Sequence, residues 1–218
     1  MAVTPPPADP ERLALYGSFT SSSSYKPMLF LVLSGLPFSF RTVNLKTGAH
    51  REPDYLAINR FGLVPALAHR GLVVVQSNSI LDYLARATGR FEPAGEQARW
   101  QAREWLGFEN DQIMAVARVR NLIRFNPAAP EVVDHFRRRA EEALDFLDRA
   151  LAGREWLVGD AMTIADIGCY GRQVFAGSES GLDLARWPNV VAWRGRIEAL
   201  PGYAMPYDLI PKKDREFD

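Results

Sequence analysis

The chain has 218 residues, with 26 basic and 26 acidic side chains and a single cysteine, Cys169. A hydrophobic share of 47% with 24% charged suits a folded protein and is too apolar for a disordered one. One cysteine excludes an internal disulfide framework, a cysteine-based zinc site and a dithiol redox pair. A formal charge of zero argues against a nucleic-acid partner, whose footprint would be a basic excess.

The N-terminus, MAVTPPPADPER, lacks a basic start, an apolar stretch and a small-residue cleavage site. The longest apolar run, residues 28–33, is far short of the ~20 residues that cross a bilayer. The expectation is a cytoplasmic protein with no membrane partner. Prolines at 5, 6, 7 and 10 suggest that residues 1–11 form a flexible tail.

In chain order, residues 13–16 read as a strand and 17–24 as a polar loop. Residues 25–35 read as a helix in which Pro27 is tolerable only in the first turn and Gly35 fits the C-terminal cap. Residues 38–45 alternate like a second strand, and 53–58 form a short helix or turn. Residues 64–68 and 72–75 read as strands of a hairpin joined by His69, Arg70 and Gly71. An amphipathic helix over 77–88 follows, with Ser77 as its N-cap. Residues 12–88 thus form a first domain of β-α-β-(α)-β-β-α order, and 89–97 a linker. Residues 98–218 form an all-helical second domain. Its long helical patterns run from Gln97 to about Arg124 and over 131–151; further helices begin near Ile164 and cover 190–200. Residues 201–218 are an irregular tail. The first 88 residues hold 8 basic and 5 acidic side chains, a small positive bias that hints at an anionic ligand and that counting noise explains equally well.

Several words in this sequence carry a family resemblance. GAHREPDYLAINRFGLVPAL at 48–67 resembles the phi-class stretch G-A/E-H-K-x-P-x-F-L-A-L-N-P-F-G-Q-V-P-A-L of the soluble glutathione transferases. QSNSI at 76–80 is similar to the family's E/Q-S-x-A-I. SSSSYK at 21–26 is similar to the zeta-class S-S-C-S-W-R, and GDAMTIAD at 159–166 resembles the helical-domain signature G-D-x-x-T/S-x-A-D. Together, in order and at family spacing, they identify the chain as a member of that family. The resemblance implies an α+β thioredoxin-like N-terminal domain, a glutathione-binding one, followed by an all-α C-terminal domain. It also implies a homodimer whose substrates are glutathione and a small electrophile, in detoxifying chemistry.

The site residues follow from that resemblance, and each has a physical reading. Val64 precedes Pro65, which the resemblance implies is cis. Extended backbone at 64 suits pairing with a peptide ligand. Gln76 and Ser77 would hold the γ-glutamyl end, at a helix N-terminus that favours a carboxylate. His50 and Arg51 would bind the glycyl carboxylate, the arginine bidentately. Leu63 departs from the family's glutamine or lysine and cannot make that hydrogen bond. The serine run carries the chemistry: a hydroxyl donating to sulfur, beside a helix N-terminus, stabilises the thiolate. The alignment puts that hydroxyl at Ser21, with Ser22 next, while Ser18, Thr20 and Ser23 stay open in a low-complexity run. Tyr16 is a weaker candidate activator. The second substrate would lie between the domains, with Trp105, Phe108, Ile113 and Tyr207 as apolar walls. Thr163 and Asp166 read as a capping box, and Cys169 as packing. Three scattered histidines, His50, His69 and His135, have no ligand spacing, so no metal is expected. Conjugation of glutathione to an electrophile ranks first. A zeta-like cis-trans isomerisation of an unsaturated acid ranks second, and a non-enzymatic glutathione-fold binding module is the reading from another class.

Overall fold

The computed structural model describes Asp9 and residues 11–209; most of the expected tail 1–11 and the end of the chain lie outside them. The chain divides into two compact units, Met1–Arg90 with Pro201–Asp218, and Phe91–Leu200.

The first unit is a mixed sheet of four strands in the order β2-β1-β3-β4. Strand β1 (Leu13–Gly17) pairs in parallel with β2 (Phe38–Thr42), Leu13 opposite Phe38 and Gly17 opposite Thr42. On its other side β1 runs antiparallel to β3 (Ala66–His69), which runs antiparallel to β4 (Leu72–Val75). Every residue of β1 is buried, as its unbroken apolar run requires of a central strand. The β3–β4 hairpin turns on Arg70 and Gly71, at φ 52° and 73°. That is the geometry of a two-residue turn whose twist matches the strands, so His69 belongs to the strand and not to the turn.

Helix α1 (Ser22–Leu33) connects β1 to β2, and α3 (Ser77–Thr88) follows β4. The two pack against each other. The opposite face of the sheet is covered by a 3-10 turn (Ala49–Arg51) and the short α2 (Pro53–Leu56). There Ala14, Tyr16, Ala66 and Ala68 from the strands meet Val43, Ala49 and Tyr55.

Three boundaries at the site end of the sheet differ from the sequence reading. Helix α1 begins at Ser22, not at residue 25, because Ser21 caps it: the Ser21 hydroxyl accepts the Ser24 N–H at 3.2 Å. Serine is a poor helix former but a preferred cap, so a serine run reads as loop while starting a helix. Pro27 therefore sits in the second turn. Strand β3 starts at Ala66, since Pro65 has no N–H to give the ladder. The N-cap of α3 is Gln76, whose carbonyl accepts the Ile80 N–H at 2.9 Å, and Ser77 is the first helical residue.

The second unit is helical, with no strand among its described residues. Helix α4 (Gly95–Phe108) passes through a single π turn (Glu109–Ile113) into α5 (Met114–Arg124). Helix α6 (Pro130–Leu151), α7 (Ile164–Arg172) and α8 (Pro188–Glu198) complete it. The π turn presents the fully buried Glu109 to Arg172 of α7, an ion pair with both side chains out of water. Helix α7 is buried along its whole length. Thr163 and Asp166 form a reciprocal capping box at its start, as the spacing predicts. Cys169 is buried on α7 against the carbonyl of Trp105. The segment from Pro201, read from the sequence as the tail of the helical domain, groups with the first unit. There the Tyr25 hydroxyl donates to the Ala204 carbonyl at 2.9 Å. No helix among the described residues is long and apolar enough to cross a membrane.

Candidate functional site

Sheet topology alone gathers most of the expected residues. β1 and β4 are both antiparallel to β3, so they point the same way, and the helix that follows each starts at the same end of the sheet. The N-termini of α1 and α3 therefore open side by side, bringing Ser21 and Ser22 to the same sheet end as Gln76 and Ser77. β3 begins at that end, with Ala66 opposite Tyr16 and Val75, so Val64 and Pro65 enter there as well.

Each of these positions is prepared by its neighbours. The Val64–Pro65 peptide is cis. Val64 lies outside the β3 ladder, and no hydrogen bond to its backbone forms among the described residues. The preceding carbonyl, that of Leu63, is held from behind by the Tyr55 hydroxyl at 2.8 Å and the Asn59 amide at 2.5 Å. Burial pushes the Tyr55 hydroxyl pKa far up, so it stays a donor. The Leu63 side chain is 49% exposed. Gly62, at φ +57°, lets this segment approach the 3-10 turn: an added Cβ would meet Arg51 Nη1 at 2.9 Å and the His50 carbonyl at 3.0 Å. His50 and Arg51 are thus seated against the approach to Val64. Gln76 is exposed and adopts φ 70°, ψ 118°, a strained conformation for a non-glycine residue, of the kind that clusters at ligand sites. Ser77 behind it is buried.

In the serine run the hydroxyls have different duties. Ser18 and Thr20 share a hydrogen bond of 2.8 Å and are buried. Ser24 is fully buried and accepts the Ser18 N–H at 3.2 Å. It packs so close to Gly17 that a Cβ there would lie 3.0 Å from it. Ser21 is half-buried; its oxygen accepts from Ser24, which leaves its own proton to donate outward. Ser22 takes no partner among the described residues. Ser21 and Ser22 thus stand at the N-terminus of α1, Ser21 half-buried and Ser22 buried.

Tyr16 is placed elsewhere. Its side chain belongs to the cluster on the α2 face of the sheet, wholly buried, with a hydroxyl that has no hydrogen-bond partner among the described residues. Desolvation raises its pKa, against the opposing pull of Arg41.

The expected apolar walls distribute between the units. Trp105 and Phe108 belong to the helical unit and form an aromatic group with Phe146 of α6, with ring centroids 4.8–6.1 Å apart. All three keep exposed surface. Ile113 does not: it is fully buried at the end of the π turn and packs as core, leaving no surface for a ligand. Tyr207 is half-buried in the segment that groups with the first unit. Among the described residues no cluster of histidine, cysteine and carboxylates could hold a metal ion. Sequence reasoning missed Lys26, completely buried on α1, with its ammonium donating to the Asn78 side chain of α3 at 2.7 Å. The signal was its place at the end of the serine word, one turn beyond Ser22.

A thioredoxin-like sheet with two helix mouths and an open extended segment at one end, followed by an all-α unit, defines the class of fold. Residues 11–86 match the model of the glutathione S-transferase N-terminal domain, and 110–201 that of the C-terminal domain. The chain belongs to the glutathione S-transferase family. It is 31% identical to glutathione S-transferase 3 of Zea mays over 214 residues, covering 91% of this chain and 95% of that one. A solved glutathione S-transferase structure from Xanthobacter autotrophicus is 33% identical with a TM-score of 0.81, covering 88% of this chain and 96% of that one. A glutathione transferase from Burkholderia graminis, solved with two glutathione molecules bound per subunit, is 27% identical with a TM-score of 0.84, over 95% and 92% of the two chains.

Proposed function

We propose that residues 12–88 bind reduced glutathione and that the enzyme transfers the glutathionyl group, through its sulfur, to a small electrophile. The supporting observation is the convergence of the α1 and α3 N-termini on the unpaired backbone of Val64, at one end of one sheet. The cysteinyl amide of glutathione pairs with Val64 by strand addition. Its γ-glutamyl carboxylate lies at the α3 N-terminus with Gln76 and Ser77, where the helix dipole favours negative charge. Its glycyl carboxylate lies toward His50 and Arg51. Family membership also supports a homodimer and a cytoplasmic setting.

The Ser21 hydroxyl donates to the sulfur, with Ser22 as the neighbouring donor, and the α1 N-terminus adds favourable potential. Both favour thiolate over thiol, so the S–H proton passes to solvent at neutral pH. The sulfur lone pair then forms a bond to the electrophilic carbon, and the leaving group departs with its bonding electrons. Nothing in this arrangement needs a metal; glutathione enters as co-substrate.

The test is conjugation to an activated aryl halide, followed with wild type, Ser21→Ala and Ser22→Ala. Loss of kcat in Ser21→Ala, with glutathione affinity kept, supports the assignment. Loss confined to Ser22→Ala moves the role by one residue. Activity unchanged in both and in the double variant overturns the hydroxyl mechanism.

A further inference from the structure

Lysine is almost never fully buried unless its ammonium is paired, because desolvating a charge is expensive. Lys26 is fully buried, in the second turn of α1. A helical side chain leans toward the N-terminus of its own helix, so the Lys26 stem runs back toward the mouth of α1 that Ser21 and Ser22 form. Its ammonium donates at 2.7 Å to the amide oxygen of Asn78, the second residue of α3, next to Ser77. On α3 the same face carries Asp82, one turn beyond Asn78. On α1 the adjacent Tyr25 hydroxyl is directed to the Ala204 carbonyl. The Lys26–Asn78 bond is thus a cross-strut from the second turn of α1 to the first turn of α3, beside Ser77.

We propose that Lys26 is a positioning residue for glutathione, acting through Asn78. Resting on the transferase reading above, the strut fixes the mouth of α3 against that of α1, so that Gln76 and Ser77 meet the γ-glutamyl group while the serine hydroxyl meets the sulfur of the same molecule. The role assigned to Lys26 and Asn78 is to hold the helices and not to contact the ligand. An apolar residue at 26 would fill the space and leave the two mouths free to slide, and the lysine converts helix packing into a set spacing.

The experiment measures glutathione binding by calorimetry, with kcat and the KM for each substrate, in Asn78→Ala, Lys26→Met and Lys26→Arg. Asn78→Ala and Lys26→Met should raise the Kd for glutathione about tenfold, the loss expected of one charged hydrogen bond. Saturating glutathione should restore kcat, and the KM for the electrophile should stay unchanged. Lys26→Arg, which retains a buried donor, should recover most of the affinity. Asn78→Ala keeps the lysine stem and carries the test even where Lys26→Met does not fold. Glutathione affinity unchanged in folded Asn78→Ala would overturn the proposal, as would a loss in kcat and both KM values together. Failure of the wild-type protein to bind glutathione would instead overturn the transferase reading itself.

Discussion

Asp166 offers the most direct link between a sequence word and a stability. Its carboxylate is fully buried, and four donors converge on it. Oδ1 accepts from the Leu157 N–H at 3.0 Å and the Trp193 indole at 2.9 Å. Oδ2 accepts from the Thr163 N–H at 2.9 Å and the Thr163 hydroxyl at 3.3 Å. One side chain thus ties the loop before α7, the start of α7 and α8 together. Burial alone pushes its pKa up, against the opposing pull of all these hydrogen bonds. Asp166→Ala strands three buried N–H groups at about 1–3 kcal/mol each, partly offset by removing a buried charge, so the net loss is about 4 kcal/mol. At roughly 2–4 °C per kcal/mol for a chain of this size, the melting temperature should fall by roughly 8–16 °C. Asp166→Asn keeps the Oδ1 acceptor but turns an NH2 toward the Thr163 N–H, so about half that loss is expected. Thermal unfolding of both variants by circular dichroism reads the effect. A drop under about 3 °C in Asp166→Ala would refute the reasoning, because the stranded donors alone exceed it.

Three further substitutions test other parts of the account. Tyr16→Phe removes a buried hydroxyl without a partner, so it should stabilise by about 1 kcal/mol and leave transferase activity intact. The folded state also holds the Tyr16 proton more tightly than the unfolded chain, which sheds it near pH 10.0. Stability must therefore fall as pH rises past that value toward the folded pKa, and denaturation at alkaline pH should show a shallower fall in Tyr16→Phe. Gly62→Ala forces a side chain into the left-handed region and against the His50 carbonyl, which cannot rotate away. A loss of about 2–4 kcal/mol in urea unfolding is expected, with weaker glutathione binding; full stability would contradict the close approach. Leu63→Gln restores a polar side chain at an exposed position beside Val64, and one added hydrogen bond should tighten glutathione about fivefold by calorimetry.

Much of the fold around the proposed site was legible because its parts are local words whose physics is also local. The extended segment entering at Val64 and Pro65, the β3–β4 hairpin, the span of α3 and the Thr163–Asp166 box each depend on a few neighbouring residues. Other features depend on partners far along the chain. The serine run read as loop because propensity counts serine against a helix, while capping by Ser21 starts one. Gln76 took the cap that Ser77 was expected to fill, since its strained backbone is set by the turn from β4 into α3. The π turn inserts a residue that no periodicity marks, and it moved Ile113 from an expected ligand wall into the core. Lys26 had no reading of its own in the sequence because its partner Asn78 lies 52 residues away on α3, and the segment from Pro201 groups with the first unit, where Tyr25 meets Ala204, 179 residues apart in sequence.

The central claim is that the serine hydroxyls and the α1 N-terminus make a thiolate. The measurement is a pH titration of bound glutathione, following thiolate absorbance in the wild-type protein at saturation. The account predicts that the bound thiol ionises at least one pH unit below free glutathione, a preference of ~1.4 kcal/mol for the charged form, and that Ser21→Ala reduces that shift. Bound glutathione ionising at the same pH as free glutathione would contradict it.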